Sequence, residues 1–279
     1  MTLTSNLVSL EKSTRNLLDL AFISIVSLGI ILRFYNIEGS PWFWWDEGVY
    51  IGLAYNLVTT GTFGYDVYAA PFVNHPPLVP LLLALVFKTF GPNILALRGL
   101  SALIGSATSV IIYAFCIRKY DRYVGLFSVI IFTISQQCLR YNRMVLLDPF
   151  MTFFTMLAIY LSYRERYILA GISLGLSLLS KLPAVCMFFF FFLELVVFER
   201  KRKPFLLLVS SSFMILLTWI VWGLTSTGLL GLVSWQAGRY VPTSLTKLFI
   251  EVAQVDAYLL ILGCLGVVYS IVSERDRFV

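Results

Sequence analysis

Four stretches hold most of the side chains that could do chemistry. Trp44-Trp45-Asp46-Glu47 sets two adjacent carboxylates beside a run of tryptophans. Asn74-His75-Pro76-Pro77 contains the only histidine in the chain. Arg140-Tyr-Asn-Arg143-Met-Val-Leu-Leu-Asp148-Pro149 places two arginines and a carboxylate between apolar helices, and Lys181 lies in Leu178-Leu179-Ser180-Lys181-Leu182-Pro183. A carboxylate can take the proton of an attacking hydroxyl, and Arg, Lys and His can stabilise charge developing on a phosphate. Each residue also has a plainer use. Asp46 fits the N-cap of a helix over Glu47–Thr60, with Glu47 in the first turn where the helix dipole favours negative charge. Asp148 before Pro149 fits an N-cap too. His75-Pro76-Pro77 is a stiff turn into a helix, and Lys181 could snorkel to the membrane surface. Lys88 and Arg98 flank Gly91-Pro92 and read mostly as interfacial anchors. No cofactor is called for. If a divalent metal ion binds, Asp46, Glu47 and His75 are the ligands on offer.

The elements that must position these residues are apolar helices. The 279 residues are 59% hydrophobic and 13% charged, where a soluble domain carries about a quarter charged residues. The fold expected is all-α: a polytopic transmembrane protein forming one module over 1–279, with no separate soluble domain. Candidate spans are Leu17–Phe34, Ile94–Ile117, Val124–Leu139, Pro149–Tyr163, Tyr167–Ser180, Pro183–Phe198, Pro204–Leu224 and Ala257–Val272. The run Leu17–Phe34 is long for a signal peptide and has no small-residue cleavage site after it, so it reads as an uncleaved first helix.

Charge sets the orientation. If Pro76–Phe90 does not cross, then Lys12/Arg15, Arg118/Lys119/Arg122, Arg164/Arg166, Arg200–Lys203 and Arg275/Arg277 share one side, more than half of the 21 Lys and Arg. The positive-inside rule favours this scheme. Eight spans follow, with both termini cytoplasmic and Pro76–Phe90 lying along or dipping into the outer face. Asp46, Glu47, His75, Arg140, Arg143, Asp148 and Lys181 then all face outward, on loop 35–93 and on the ends of later helices. The second outer loop, 225–256, carries Trp235, Arg239 and Tyr240 and could cover a cavity. Tyr167–Ser180 makes only about 21 Å of helix against a hydrocarbon core of about 30 Å, so Lys181 should sit in a recess below the surface. Net charge of +6 reports cytoplasmic loops rather than nucleic-acid binding. The four separate cysteines and the stripes Gly171-x-x-x-Gly175 and Ser101-x-x-x-Gly105-x-x-x-Ser109 read as packing residues.

Taken in order, the motifs resemble those of the C-type superfamily of polyprenyl- or dolichyl-phosphate-sugar-dependent glycosyltransferases, above all its protein O-mannosyltransferase and aminoarabinose transferase branch. Trp45-Asp46-Glu47 follows the first helix. His75-Pro76-Pro77-Leu78, the segment opening Leu97-Arg98-Gly99, Arg143-x-x-Leu146-Leu147-Asp148 and Gly171-x-x-x-Gly175-Leu-x-x-Leu179-Ser180-Lys181-x-Pro183 come after it, with Ser180 where threonine is common. The resemblance covers about residues 20–200. It implies inverting transfer of a sugar from a lipid phosphate to an acceptor hydroxyl on a protein, lipid or glycan, at the outer face of a cell membrane. Asp46 would be the base and Glu47 its support or an acceptor-orienting group. His75, Arg143 and Lys181 would hold the donor phosphate, while Asp148, Arg140 and Arg98 support them. Superfamily members usually run longer, which makes a second membrane subunit a candidate partner. The competing readings are a sugar-lipid transporter and a non-catalytic lipid-binding subunit.

Overall fold

The structure, a computed structural model, describes residues 2–64, 71–73 and 75–238, with side chains from Lys12 to Leu229 within those limits. The predicted span Ala257–Val272, Asn74, Arg239, Tyr240 and the side chain of Trp235 lie outside the described residues. The architecture is all-α, with no strand among the described residues. The helices are α1 (Thr2–Phe34), α2 (Trp45–Thr59), α3 (Leu78–Phe90), α4 (Ile94–Lys119), α5 (Arg122–Ile134), α6 (Gln136–Tyr141), α7 (Leu147–Tyr163), α8 (Tyr167–Ser180), α9 (Cys186–Phe191) and α10 (Arg202–Gly238). A 3₁₀ turn precedes α9, a π-helical turn follows it, and α10 is kinked at Gly228, where φ is 71°.

Segments Lys12–Phe34, Ile94–Lys119 and Arg202–Leu229 are long and apolar enough to cross a membrane. Apolar helices such as α3, α5 and α8 are shorter. At 13 residues, α3 spans about 20 Å, short of a bilayer core of about 30 Å. The single span expected over Val124–Leu139 is broken. Ser135 leaves the helical region at φ −56°, ψ 118°, and its hydroxyl accepts from the Cys138 N–H at 3.2 Å, starting the separate helix α6. A hydroxyl that caps a new helix competes with continuation of the old one.

Two cores hold the bundle. One joins α2, α3, α4 and α7 through Tyr50, Leu83, Leu97, Val145 and Phe150. The other joins α7, α8, α9 and α10 through Ala158, Leu174, Phe191 and Leu208. Small residues set the second. A Cβ on Gly171 would stand 1.9 Å from Ser211 Oγ and 2.2 Å from the Leu208 carbonyl oxygen. On α4, a Cβ at Gly105 would stand 2.4 Å from the Asn142 side chain. The expected stripes are therefore contact faces, and Gly105 also makes room for the segment leading into α7. Of the cysteines, Cys116, Cys138 and Cys186 form no disulfide among the described residues.

Candidate active site

The N-terminus of α2 is not capped as expected. Trp44, extended at φ −98°, ψ 147°, occupies the N-cap. Its N–H donates to Glu47 Oε2 at 3.1 Å, so Glu47 folds back over the first turn. Asp46 is inside the first turn and caps nothing. Asp148 likewise lies within the first turn of α7, behind an N-cap at Leu146.

Adjacent residues on a helix point about 100° apart, and here that angle separates two roles. Glu47 is fully buried, and Arg98 is 1% exposed. Arg98 Nε donates to Glu47 Oε1 at 3.0 Å and Nη2 to Oε2 at 2.8 Å. The Val145 N–H donates to Oε1 as well, at 2.8 Å, so with the Trp44 N–H the carboxylate takes four donors. The other nitrogen, Nη1, donates to the carbonyls of Ile37 at 2.8 Å and Pro41 at 3.0 Å. A bidentate pair with its remaining groups satisfied is the geometry in which a buried ion pair is tolerable. It ties together loop 35–41, α2, α4 and the approach to α7. Arg98 is thus an internal strut and not an interfacial anchor, and both Glu47 oxygens are already engaged.

Asp46 points the other way. It is exposed and carries no ion pair or hydrogen bond among the described residues. It shares a cavity of about 190 Å³ with Trp44, Arg140, Tyr141, Met144, Leu146, Asp148 and Lys181. The buried Met144 and Leu146 make its floor continuous with the first core. Lys181 Nζ forks onto both Asp148 oxygens, at 2.8 and 3.0 Å. Arg140 is exposed at the end of α6, its guanidinium 5.6 Å from the centre of the Trp44 ring.

Four of the eight residues singled out from sequence, Asp46, Arg140, Asp148 and Lys181, therefore meet in one cavity. Glu47 and Arg98 form the strut behind it. His75 and Arg143 are not among the lining residues. His75 packs edge-on against Tyr50, with ring centres 5.6 Å apart, and beside Phe72 at 6.0 Å. Arg143 Nη2 donates to the Ser40 carbonyl at 2.9 Å and also to the Tyr35 carbonyl. It braces the same loop that Arg98 holds. Burial, then the neighbouring Arg98 charge, lowers the Arg143 guanidinium below its ordinary pKa. Asp148 pairs with Lys181 and not with Arg143. The residues suggested for a metal do not converge either: Glu47 is saturated by nitrogen donors, and no cluster of three potential ligands occurs among the described residues. Trp44, Tyr141 and Met144 are lining residues that sequence reading did not assign to the site. Their positions beside Asp46 and Arg143 were the available signal.

Comparison with known proteins brings three findings. Residues 74–222 match the family described as dolichyl-phosphate-mannose-protein mannosyltransferase. An uncharacterized protein of Aquifex aeolicus (strain VF5) is 30% identical over 172 residues, covering 58% of this chain and 34% of that protein. The fold is similar to a chain in the structure of the S. cerevisiae protein O-mannosyltransferase Pmt1–Pmt2 complex bound to the sugar donor. That likeness has a TM-score of 0.59 at 21% identity, covering 75% of this chain and 34% of the other. The chain spans about a third of the length of both.

Proposed function

The chain belongs to the dolichyl-phosphate-mannose-protein mannosyltransferase family, and from that premise we propose that it is a membrane glycosyltransferase moving a sugar from a polyprenyl or dolichyl phosphate to an acceptor hydroxyl. The observation that carries the reading is an unpaired carboxylate, Asp46, in one cavity with two cations, Arg140 and Lys181.

The acceptor oxygen attacks the anomeric carbon from the face opposite the phosphate, and its proton passes to Asp46. A new glycosidic bond forms, and the bond from the anomeric carbon to the phosphate oxygen breaks. The lipid phosphate departs with that electron pair, and the configuration inverts. One unit of negative charge thereby moves from Asp46 to the phosphate. No second acid is needed because the leaving group is already a phosphate, in contrast to glycoside hydrolysis. Arg140 and Lys181 are the cations placed to meet the new charge, and a cavity with a dry floor strengthens their effect. The phosphate role that sequence assigned to His75 and Arg143 moves to Arg140, with Lys181 retained. Glu47 and Arg98 act at one remove, by fixing the backbone on either side of Asp46. The site faces the outer side of a cell membrane, with the chain's ends cytoplasmic. The acceptor is a protein, lipid or glycan, and a second membrane subunit is a candidate partner. A divalent ion is no part of this mechanism, which the chain's own residues supply.

The test is Asp46→Asn in protein purified from membranes and supplied with a lipid-phosphate sugar. Transfer should fall by about a hundredfold or more, the range a general base contributes, while membrane insertion and thermal stability stay as in wild type. Near-normal transfer would remove Asp46 from the base role.

A further inference from the structure

Lys181 is a cation of the proposed phosphate site, yet in this structure its charge is already engaged. Its Nζ lies 2.8 and 3.0 Å from the two oxygens of Asp148. Both side chains are about one-third exposed, at 33% and 30%, and both line the cavity. The two partners are held differently. Asp148 sits in the first turn of α7, flanked by the buried Leu147 and Pro149, where the helix dipole favours its charge. Lys181 reaches it from the extended C-cap of α8, at φ −158°, ψ 129°, on a flexible four-carbon stem. The carboxylate is the fixed member and the ammonium the movable one.

Resting on the proposed reaction, we infer that Asp148 is an internal competitor of the lipid phosphate for Lys181, and that this competition favours release of the spent lipid. The donor is a phosphodiester with one negative charge. The product is a monoester, whose second ionisation lies near pH 6, so that it carries close to two. Cations arranged to stabilise the charge that appears on transfer also hold the product more tightly than the donor. A carboxylate beside Lys181 counters this in two ways: it takes back the ammonium, and it repels the dianion more than the monoanion. Among the described residues Arg140 forms no ion pair, and its guanidinium lies over the Trp44 ring. Arg140 then serves as the standing phosphate contact and Lys181 as the exchangeable one.

The experiment measures binding of farnesyl phosphate, a short prenyl monoester, to the purified full chain by calorimetry. Wild type, Asp148→Asn, Lys181→Ala and the double variant are compared, each first checked for an unchanged melting temperature. Asp148→Ala is a second removal of the charge. The carboxylate's removal should tighten binding by about three- to tenfold, as both competition and like-charge repulsion vanish. In the Lys181→Ala background the same change should tighten it by less, because only the repulsion is left to remove. Unchanged or weaker binding in Asp148→Asn overturns the inference, as does full tightening in the Lys181→Ala background. Inorganic phosphate is run alongside, and tightening confined to it also overturns the inference. Absence of farnesyl phosphate binding in every protein, wild type included, would instead strike at the phosphate site of the proposed reaction.

Discussion

Asp46 and Glu47 show how far a sequence can carry a reading of single residues. Types and order were enough to single out Asp46, Asp148 and Lys181. What types and order lack is direction. Glu47 follows Asp46 by one residue and so turns about 100° away into the core, where Arg98, distant in sequence, is waiting. Arg140 and Arg143 diverge for a similar reason: α6 ends between them at Tyr141, and the turn that follows aims Arg143 at loop 35–41. The division of labour between Asp46 and Glu47 makes a clear contrast on mutation. Glu47→Ala leaves Arg98 buried without a counter-charge and should cost about 3–5 kcal/mol, read as a lower unfolding transition in detergent. Combining it with Arg98→Met should cost less than the sum of the two single changes, because the orphaned charge is gone. A Glu47→Ala loss below about 1 kcal/mol, the level of an exposed pair, would mean that water reaches Arg98.

At the scale of elements, the long helices α1, α4 and α10 were legible from apolar runs, as was the shorter α8. The break at Ser135 was not, because Ser135-Gln136-Gln137 reads equally as the polar end of a span, and the Ser135 hydroxyl accepting from Cys138 N–H is what starts a new helix there. The two glycine contacts separate stability from site geometry. Gly171→Ala drives a methyl against the α10 backbone, which cannot turn aside as a side chain can. It should lower stability by about 1–3 kcal/mol while transfer per folded molecule stays near normal. Gly105→Ala instead presses on Asn142, two residues from Arg140 and from Met144 of the cavity floor. It should reduce transfer more than it reduces stability. Equal ratios of activity to folded protein in the two variants would refute this separation.

For the molecule as a whole, the proposed orientation requires every cavity residue on one face of the bilayer. In a cysteine-free background, Trp42→Cys should react with a membrane-impermeant maleimide added outside intact cells. Glu165→Cys, beside Lys201 at the far end of α8, should react only after permeabilisation. The reverse pattern would invert the protein. Membrane class was within reach of the sequence because it follows from composition, and the orientation read from loop charge is what this labelling tests. The Glu47–Arg98 strut behind the site was not, since it joins residues 51 apart in the chain. That separation also has a meaning in time. During synthesis Glu47 emerges well before Arg98, and the Val145 amide later still, so a growing chain carries first a lone acid and then an incomplete pair at the edge of the lipid. The cell's insertion machinery must shelter these charges until α7 arrives. A chain truncated before Val145 should therefore be held by membrane quality control and degraded, rather than accumulate as a shorter stable form.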